Sequence, residues 1–253
     1  MKPLKVLDLF SGIGGFSLGL ERTGGFKTVA FCENDPFCQK VLQKHWPSVP
    51  IYNNIINLNH QEQVDVITGG YPCQPFSVAG KRKGHADDRH LWPHMFKVIT
   101  QKRPSWVLLE NVIGHLTLGI NGVLLDLEGE GYTTRPIVLP AASVNANHLR
   151  NRVFVIAYSG ITRCEEISGL EQKTTGSKGV RPSDQIDTKF ISKRSERRRW
   201  RRENWWKKKS PEPLICGMAN GIPQRVDRLR TLGAAVVPQV VEQIGNSMLA
   251  TYR

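Results

Sequence analysis

The chain has no C-x-x-C pair. Its five cysteines, Cys32, Cys38, Cys73, Cys164 and Cys216, are odd in number and widely spaced, which speaks against a disulfide framework and against a zinc finger. No apolar run reaches the roughly 20 residues of a membrane-spanning helix. The N-terminal Met1-Lys2-Pro3-Leu4-Lys5 enters a strand pattern without the apolar core of a signal peptide. These absences predict a cytoplasmic protein with reduced thiols. Acidic residues are also in short supply: 22 Asp and Glu face 35 Lys and Arg, a formal charge of +13. An excess of that size points to a polyanionic partner, nucleic acid first and an anionic membrane second. What is present is an ordinary 40% of hydrophobic residues, which excludes wholesale disorder, and 253 residues, room for one domain with a good core and a small appendage.

The stretch Asp65 to Gly84 organises the rest. Val64 to Thr68 reads as a buried strand that empties through Gly69 and Gly70 into a loop. Cys73 follows between Pro72 and Pro75, whose fixed torsions hold the thiol on a stiff bend where open α/β sheets keep their ligand crevices. Beyond it, Ser77, Lys81, Arg82 and Lys83 lie in a basic segment hinged by Gly80 and Gly84, suited to closing over an anionic substrate. Taken alone, this stretch supports two readings equally, a presented nucleophile or an ordinary buried cysteine.

Upstream, Val6 to Phe10 is a mostly apolar first strand, followed by the turn Ser11-Gly12-Ile13-Gly14-Gly15 and a helix carrying Phe16, Leu18 and Leu20. A glycine turn before a helix serves either as a tight bend or as a cradle for an anionic group. Thr28 to Cys32 reads as a second strand, and Glu33 stands at its end, 21 residues after Gly12, where an acid grips ribose hydroxyls. Asn34-Asp35-Pro36 caps a helix over Phe37–His45, and Ile51-Tyr52 begins a short third strand ending at Asn53-Asn54. The pattern is β-α-β-α-β, with the strand before Cys73 the fourth.

Downstream, Leu91, Met95, Val98 and Ile99 mark a helix stopped by Arg103-Pro104. Trp106 to Leu109 is another buried strand, delivering Glu110-Asn111-Val112 to the sheet edge that holds Cys73 and Glu33. A helix through Leu124 and Leu127 ends at Gly129 and Gly131, and Thr133–Leu139 and Arg152–Ala157 read as paired final strands. Arg150 and Arg152 are two apart, so on an extended strand they share a face, as a pair of anion clamps would; two surface arginines is the plainer alternative.

From Ser159 the composition changes. Residues 159–210 hold 15 basic and 7 acidic residues, +8 of the total +13, and Lys193–Lys209 interleaves ten basic residues with Trp200, Trp205 and Trp206. That suits phosphate contact with tryptophans reaching bases, against the alternative of a solvated linker. A closing amphipathic helix runs to about Tyr252.

In this order the motifs resemble those of the DNA (cytosine-5)-methyltransferases, across nearly the whole chain. Asp8-Leu-Phe-Ser-Gly-Ile-Gly-Gly resembles the first motif and Gly-Gly-Tyr-Pro-Cys73-Gln the catalytic one. Glu110-Asn111-Val112, His148-x-Arg150-x-Arg152 and Leu232-Gly-Ala-Ala-Val-Val-Pro-Gln are similar to later ones. The resemblance implies an α/β, Rossmann-like fold with a doubly wound, mostly parallel sheet over residues 1–158. It also implies a small basic target-recognition region over 159–222 and a C-terminal segment, 223–253, packing back on the first part. It implies S-adenosylmethionine as methyl donor and no metal. Phe10, Gly12, Ile13, Gly14, Gly15, Glu33, Asn34, Asn54, Ile55, Pro72 and Leu91 would form the cofactor site. Cys73 would be the nucleophile, Glu110 the acid near the base's N3 and Arg152 the cation near its O2, with Arg150 of the same motif a further catalytic residue. Gln74, Ser77, Lys81, Arg82, Lys83, Arg198, Arg199, Trp205, Trp206 and Arg225 would meet double-stranded DNA. A monomer of prokaryotic or phage type, working on DNA in restriction-modification with no membrane role, is the corresponding expectation.

The chain departs from the family pattern at Asn54, where an aspartate is usual, and at Ala234, where Gly-Asn usually stands. Ala234 and the small recognition region motivate a second reading, a catalytically impaired homologue that still binds DNA. The resemblance admits a third, an RNA (cytosine-5)-methyltransferase, since some relatives of this fold modify tRNA at the same carbon.

Overall fold

A computed structural model of the chain describes residues 2–72, 91–146, 148–160 and 225–252. All of them belong to one unit built from residues 1–162 and 224–253. Its centre is a seven-stranded sheet: β1 (Leu4–Leu9), β2 (Phe26–Cys32), β3 (Ile51–Tyr52), β4 (Val66–Gly69), β5 (Trp106–Val112), β6 (Thr133–Pro140) and β7 (Asn151–Tyr158), in the order β3-β2-β1-β4-β5-β7-β6. The four pairings from β3 to β5 are parallel, while β7 runs antiparallel to both β5 and β6. The sheet is thus mostly parallel, as expected, and the two final strands pair.

The helices are α1 (Gly15–Arg22), α2 (Pro36–His45), α3 (Trp92–Lys102), α4 (His115–Leu118), α5 (Ile120–Gly129), α6 (Arg225–Ala234) and α7 (Pro238–Ala250). The near-continuous apolar strands arise because alternate residues feed two cores. Val6, Val66, Trp106 and Leu108 join Phe16 and Leu20 of α1 and Val240, Val241, Ile244 and Met248 of α7. Leu7, Leu9, Ile67, Val107 and Leu109 join Met95, Val98 and Ile99 of α3 and Val123 and Leu127 of α5. Helices therefore cover both faces, which is the doubly wound arrangement. Gly19 lets α1 and α7 approach closely, since a Cβ there would fall 2.6 Å from Val241 Cβ. Among the described residues no helix is long and apolar enough to cross a membrane.

Most element boundaries shift by one to three residues from the sequence expectation: β1 ends at Leu9 rather than Phe10, β2 begins at Phe26 rather than Thr28, β5 runs on to Val112, and β7 spans Asn151–Tyr158. Two further shifts have a visible cause. The helix α2 begins at Pro36 rather than Phe37, because Asp35 Oδ1 accepts from the amides of Phe37 and Cys38 at 2.8 and 3.1 Å. The strand β4 begins at Val66 rather than Val64, because Asp65 turns its carboxylate to accept the Lys5 amide at 2.8 Å. Strand order runs outward in opposite senses from β1 and β4, so the carboxyl ends of these two strands flank the crevice of an open α/β sheet.

Candidate active site

At the end of β1 the chain turns sharply. Phe10 adopts φ 52°, a left-handed conformation that costs a non-glycine residue about 1 kcal/mol or more, and Gly12 and Gly14 follow at 54° and 83°. Ser11 Oγ ties the turn down by donating to the Asp8 carbonyl at 2.6 Å. The turn delivers the N-terminus of α1, whose cap residue Gly14 supplies no side-chain acceptor; in the first turn the Ser17 amide is taken by the Asp8 carboxyl, and the helix end suits an anionic group. Glu33, immediately after β2, reaches across with Oε2 accepting the Gly12 amide at 2.7 Å and Oε1 accepting the Asp35 amide at 2.8 Å. The acid predicted from spacing therefore stands at the glycine turn.

The other residues expected to hold a cofactor surround this turn unevenly. Phe10 and Leu91 are half-buried against the α3–α5 core, and Ile55 is buried within it. Asn34 and Asn54 are exposed, and Asn54 Oδ1 accepts the Ile56 amide at 2.9 Å, so its amide oxygen serves a local turn.

A second acid was not assigned a role by sequence. Asp8 is fully buried, with Ser17 Oγ donating to Oδ2 and Thr68 Oγ1 donating to Oδ1, both at 2.7 Å. The three side chains pin α1 to the end of β4. The legible signal was a lone carboxylate in an otherwise apolar strand. Burial pushes the Asp8 carboxyl from 3.8 up to about 7, with the hydroxyls of Thr68 and Ser17 pulling it partly back. Between these values the folded chain holds a proton that the unfolded chain has released. Asp8 therefore favours folding most below about pH 4, and this contribution is lost as pH rises to 7. Compared with Asp8→Asn by urea unfolding, the wild type should lose about 3 kcal/mol between pH 4 and 7, at about 1.4 kcal/mol per pH unit, and level off above about pH 8.

On the other side of β4, the end of β5 presents Glu110 and Asn111, both buried. Asn111 Nδ2 donates to the Tyr71 carbonyl at 3.1 Å, fixing the chain just before Pro72. Tyr71 is held further by its ring against Trp92, and its hydroxyl is hydrogen-bonded to His115 Nε2 at 2.6 Å. His115 sits at the start of α4, and burial lowers its pKa, which keeps the ring neutral. This Tyr71–His115 link was missed from sequence because only the fold brings the two residues together.

Glu110 is only 8% exposed, and Arg152 Nε lies 2.9 Å from its Oε1. That contact is an ion pair rather than an aligned hydrogen bond, and no hydrogen bond reaches Oε1 from the described residues. Burial raises the Glu110 pKa, opposed by Arg152 and then by Arg150. The approach is kept open by Gly70, where a Cβ would fall 3.4 Å from Glu110 Oε2. A buried carboxyl whose pKa burial raises, with a guanidinium at one of its oxygens, can donate a proton to a ring nitrogen while the cation meets a neighbouring oxygen.

Arg150 corrects the reading of the arginine pair. It precedes β7 with φ 30°, so the two arginines do not alternate along one extended strand. Its Nη2 donates to the carbonyls of Gly233 and Ala235 at 2.8 and 2.7 Å, so this group is engaged with the C-terminal segment. Arg150, Ile13, Gly15 and Val236 line a common cavity of about 550 Å³.

Cys73, Gln74, Ser77, Lys81, Arg82, Lys83, Arg198, Arg199, Trp205 and Trp206 lie outside the described residues. Arg225 is the first residue of α6, and Pro72 is exposed beyond Tyr71. The two cysteines that are described are both buried, and burial, helped by Glu33, pushes the Cys32 thiol up to about 12. A thiol so shifted is inert.

Comparison with known proteins adds three findings. A family model described as C-5 cytosine-specific DNA methylase matches residues 4–211. Among curated proteins, the type II methyltransferase M.HgiCII of Herpetosiphon aurantiacus is 34% identical over 164 residues, 62% of this chain and 37% of that protein. M2.BsuMI of Bacillus subtilis, also a type II methyltransferase, is 36% identical over 166 residues, 61% of this chain and 42% of that protein. The chain thus spans about two fifths of the length of these relatives. Among solved structures, a putative DNA modification methyltransferase encoded within an E. coli prophage is similar at a TM-score of 0.51 and 29% identity, covering 61% of this chain and 46% of that one. S. pombe Dnmt2 methyltransferase is similar in fold at a TM-score of 0.55 and 23% identity, covering 67% and 57%.

Proposed function

Because the chain belongs to the C-5 cytosine-specific DNA methylase family, we propose that it transfers a methyl group from S-adenosylmethionine to carbon 5 of cytosine in double-stranded DNA. The observation that carries this reading is the buried Glu110, its Oε1 paired with Arg152 at 2.9 Å, next to the chain that leads into Pro72-Cys73. Such a pair suits the N3 and O2 edge of a cytosine withdrawn from the helix stack.

The residues at the glycine turn fit an adenosine-type cofactor. The N-terminus of α1, whose Gly14 offers no capping side chain, suits a carboxylate, and Glu33 stands where ribose hydroxyls are gripped. Phe10, Gly12, Ile13, Gly14, Gly15, Glu33, Asn34, Asn54, Ile55, Pro72 and Leu91 are proposed to hold it. When bound, S-adenosylmethionine supplies an electrophilic methyl group on a sulfonium.

The chain's own groups do the rest. Cytosine C5 is a weak nucleophile, so the Cys73 thiolate adds to C6, and the C5–C6 π electrons move toward N3 and O2. Glu110 donates its proton toward N3 and Arg152 faces O2, both stabilising the charge that develops. C5 then carries enamine electrons and takes the methyl group. Loss of the C5 proton to solvent re-forms the C5–C6 double bond as the Cys73–C6 bond breaks to expel the thiolate, and N3 returns its proton to Glu110; S-adenosylhomocysteine is the other product. The basic residues Lys81, Arg82, Lys83, Arg198, Arg199 and Arg225, with Gln74, Ser77, Trp205 and Trp206, are proposed to contact DNA, which would make affinity fall steeply with salt.

The test is transfer of labelled methyl from S-adenosylmethionine to mixed genomic duplex DNA, followed by sequencing of the modified cytosines. Failure on every duplex, with transfer to tRNA in the same competition, would move the substrate to RNA. A second reading, an impaired homologue, rests on Ala234, which stands exposed at the end of α6 where the family places an asparagine. Ala234→Asn should tighten cofactor binding by roughly fivefold, the worth of one hydrogen bond of about 1 kcal/mol, if the missing amide limits the enzyme. An unchanged affinity removes the motive for that reading.

A further inference from the structure

We infer that Arg150 is a positioning residue for the cofactor side of the site, clamping the linker between α6 and α7 so that Val236 walls the glycine turn. This rests on the methyltransferase reading above and changes the division of labour within it.

Helix α6 ends at Ala234, and α7 begins at Pro238, leaving 235–237 as a short connection. The last carbonyls of a helix have no partner within it, and the negative end of the helix dipole lies there. Arg150 Nη2 meets both needs, donating to Gly233 O at 2.8 Å and to Ala235 O at 2.7 Å. No described side chain caps the start of α7, whose N-cap residue is Val237, so the connection depends on what holds its upstream end.

The connection is packed directly on the turn. A Cβ at Gly15 would fall 2.7 Å from Val236 Cγ1 and 2.8 Å from Val236 O, so any shift of Val236 moves the wall over the N-terminus of α1. Arg150 reaches the connection because φ 30° takes its backbone out of the β7 alternation. Arg152, inside β7 and paired with Val112 of β5, is left to serve Glu110. The two arginines therefore divide: Arg152 faces the acid that handles the base, and Arg150 holds the segment that handles the cofactor.

The experiment compares the full chain with Arg150→Met, Arg150→Lys and Arg152→Gln. Titration calorimetry with S-adenosylhomocysteine reads the cofactor site without turnover. Arg150→Met should weaken binding about tenfold or more and raise KM for S-adenosylmethionine, with KM for DNA within about twofold of wild type. Arg150→Lys, which keeps the charge at the helix end, should recover part of the loss. Arg152→Gln should bind S-adenosylhomocysteine like the wild type while losing turnover. Wild-type cofactor affinity in Arg150→Met, with lost DNA affinity instead, overturns the inference and returns Arg150 to a substrate clamp. Should the wild type bind no S-adenosylhomocysteine, the methyltransferase reading fails separately. Hydrogen exchange in the free chain then decides the clamp: faster exchange over 231–241 in Arg150→Met, with β1 and β4 unchanged, upholds it, and equal exchange rejects it.

Discussion

Cys73→Ala is expected to reduce methyl transfer by about a thousandfold or more while leaving S-adenosylhomocysteine affinity and DNA binding near wild-type values. The size follows from the chemistry. Without a thiolate at C6, C5 keeps its weak aromatic nucleophilicity, and neither Glu110 nor Arg152 has developing charge to stabilise. Positioning alone remains. A second readout isolates the covalent step: duplex DNA with fluorine at cytosine C5 cannot lose a proton there, so a wild-type adduct persists through denaturing electrophoresis and the alanine variant forms none. Retained transfer in Cys73→Ala would overturn the nucleophile. The described cysteines offer no substitute, since Cys32 and Cys38 are buried and the Cys32 thiol is pushed up to about 12.

How much of this was legible in the sequence depends on distance along the chain. Features set within a few residues were readable. The glycine turn after β1, the Asp35 cap of α2 and the buried runs of β4 and β5 all follow from local chemistry, apart from shifts of one to three residues at their ends. Glu33 was readable because the length of a βαβ unit fixes where an acid after β2 must stand. Glu110 was readable as a carboxylate at a strand end, but its burial and its approach to Arg152 were not. They depend on β7 inserting antiparallel beside β5, which puts Arg152 opposite Val112. A run such as Trp106–Leu109 is apolar throughout, so the sequence does not say which residues meet α1 and α7 and which meet α3 and α5. Alternation in the folded sheet decides it.

The arginine pair shows the opposite case, in which a sound local rule met a backbone exception. Spacing of two implies a shared face only on an extended strand, and Arg150 leaves that conformation just before β7 begins. Nothing in His148-Leu149-Arg150-Asn151 announces a positive φ, and the carbonyls that reward it are 83 and 85 residues away. The grouping of Asp8, Ser17 and Thr68 was likewise hidden: their cluster joins residues 9 and 60 apart, and only Asp8, a lone carboxylate in an apolar strand, stands out by itself.

The second large effect is expected at Glu110. Glu110→Gln keeps the shape and a hydrogen bond but removes the proton that N3 needs, and kcat should fall by roughly 10² to 10⁴. Its pH profile carries the stronger test. Catalysis requires Cys73 deprotonated and Glu110 protonated at once, which gives the wild type a bell-shaped profile whichever group has the higher pKa. Burial raises the Glu110 pKa, so the protonated acid survives to higher pH than a free glutamate would allow. The protonated fraction of Glu110 falls as pH rises through that folded value, and this decline supplies the alkaline limb once the thiol is fully ionised. In Glu110→Gln there is no carboxyl left to lose a proton, so the falling alkaline limb should vanish while the rising limb, set by the thiol, remains. Persistence of the alkaline limb in the glutamine variant would assign that limb to another group. It would also leave Glu110 as a hydrogen-bonding partner of the base rather than its acid.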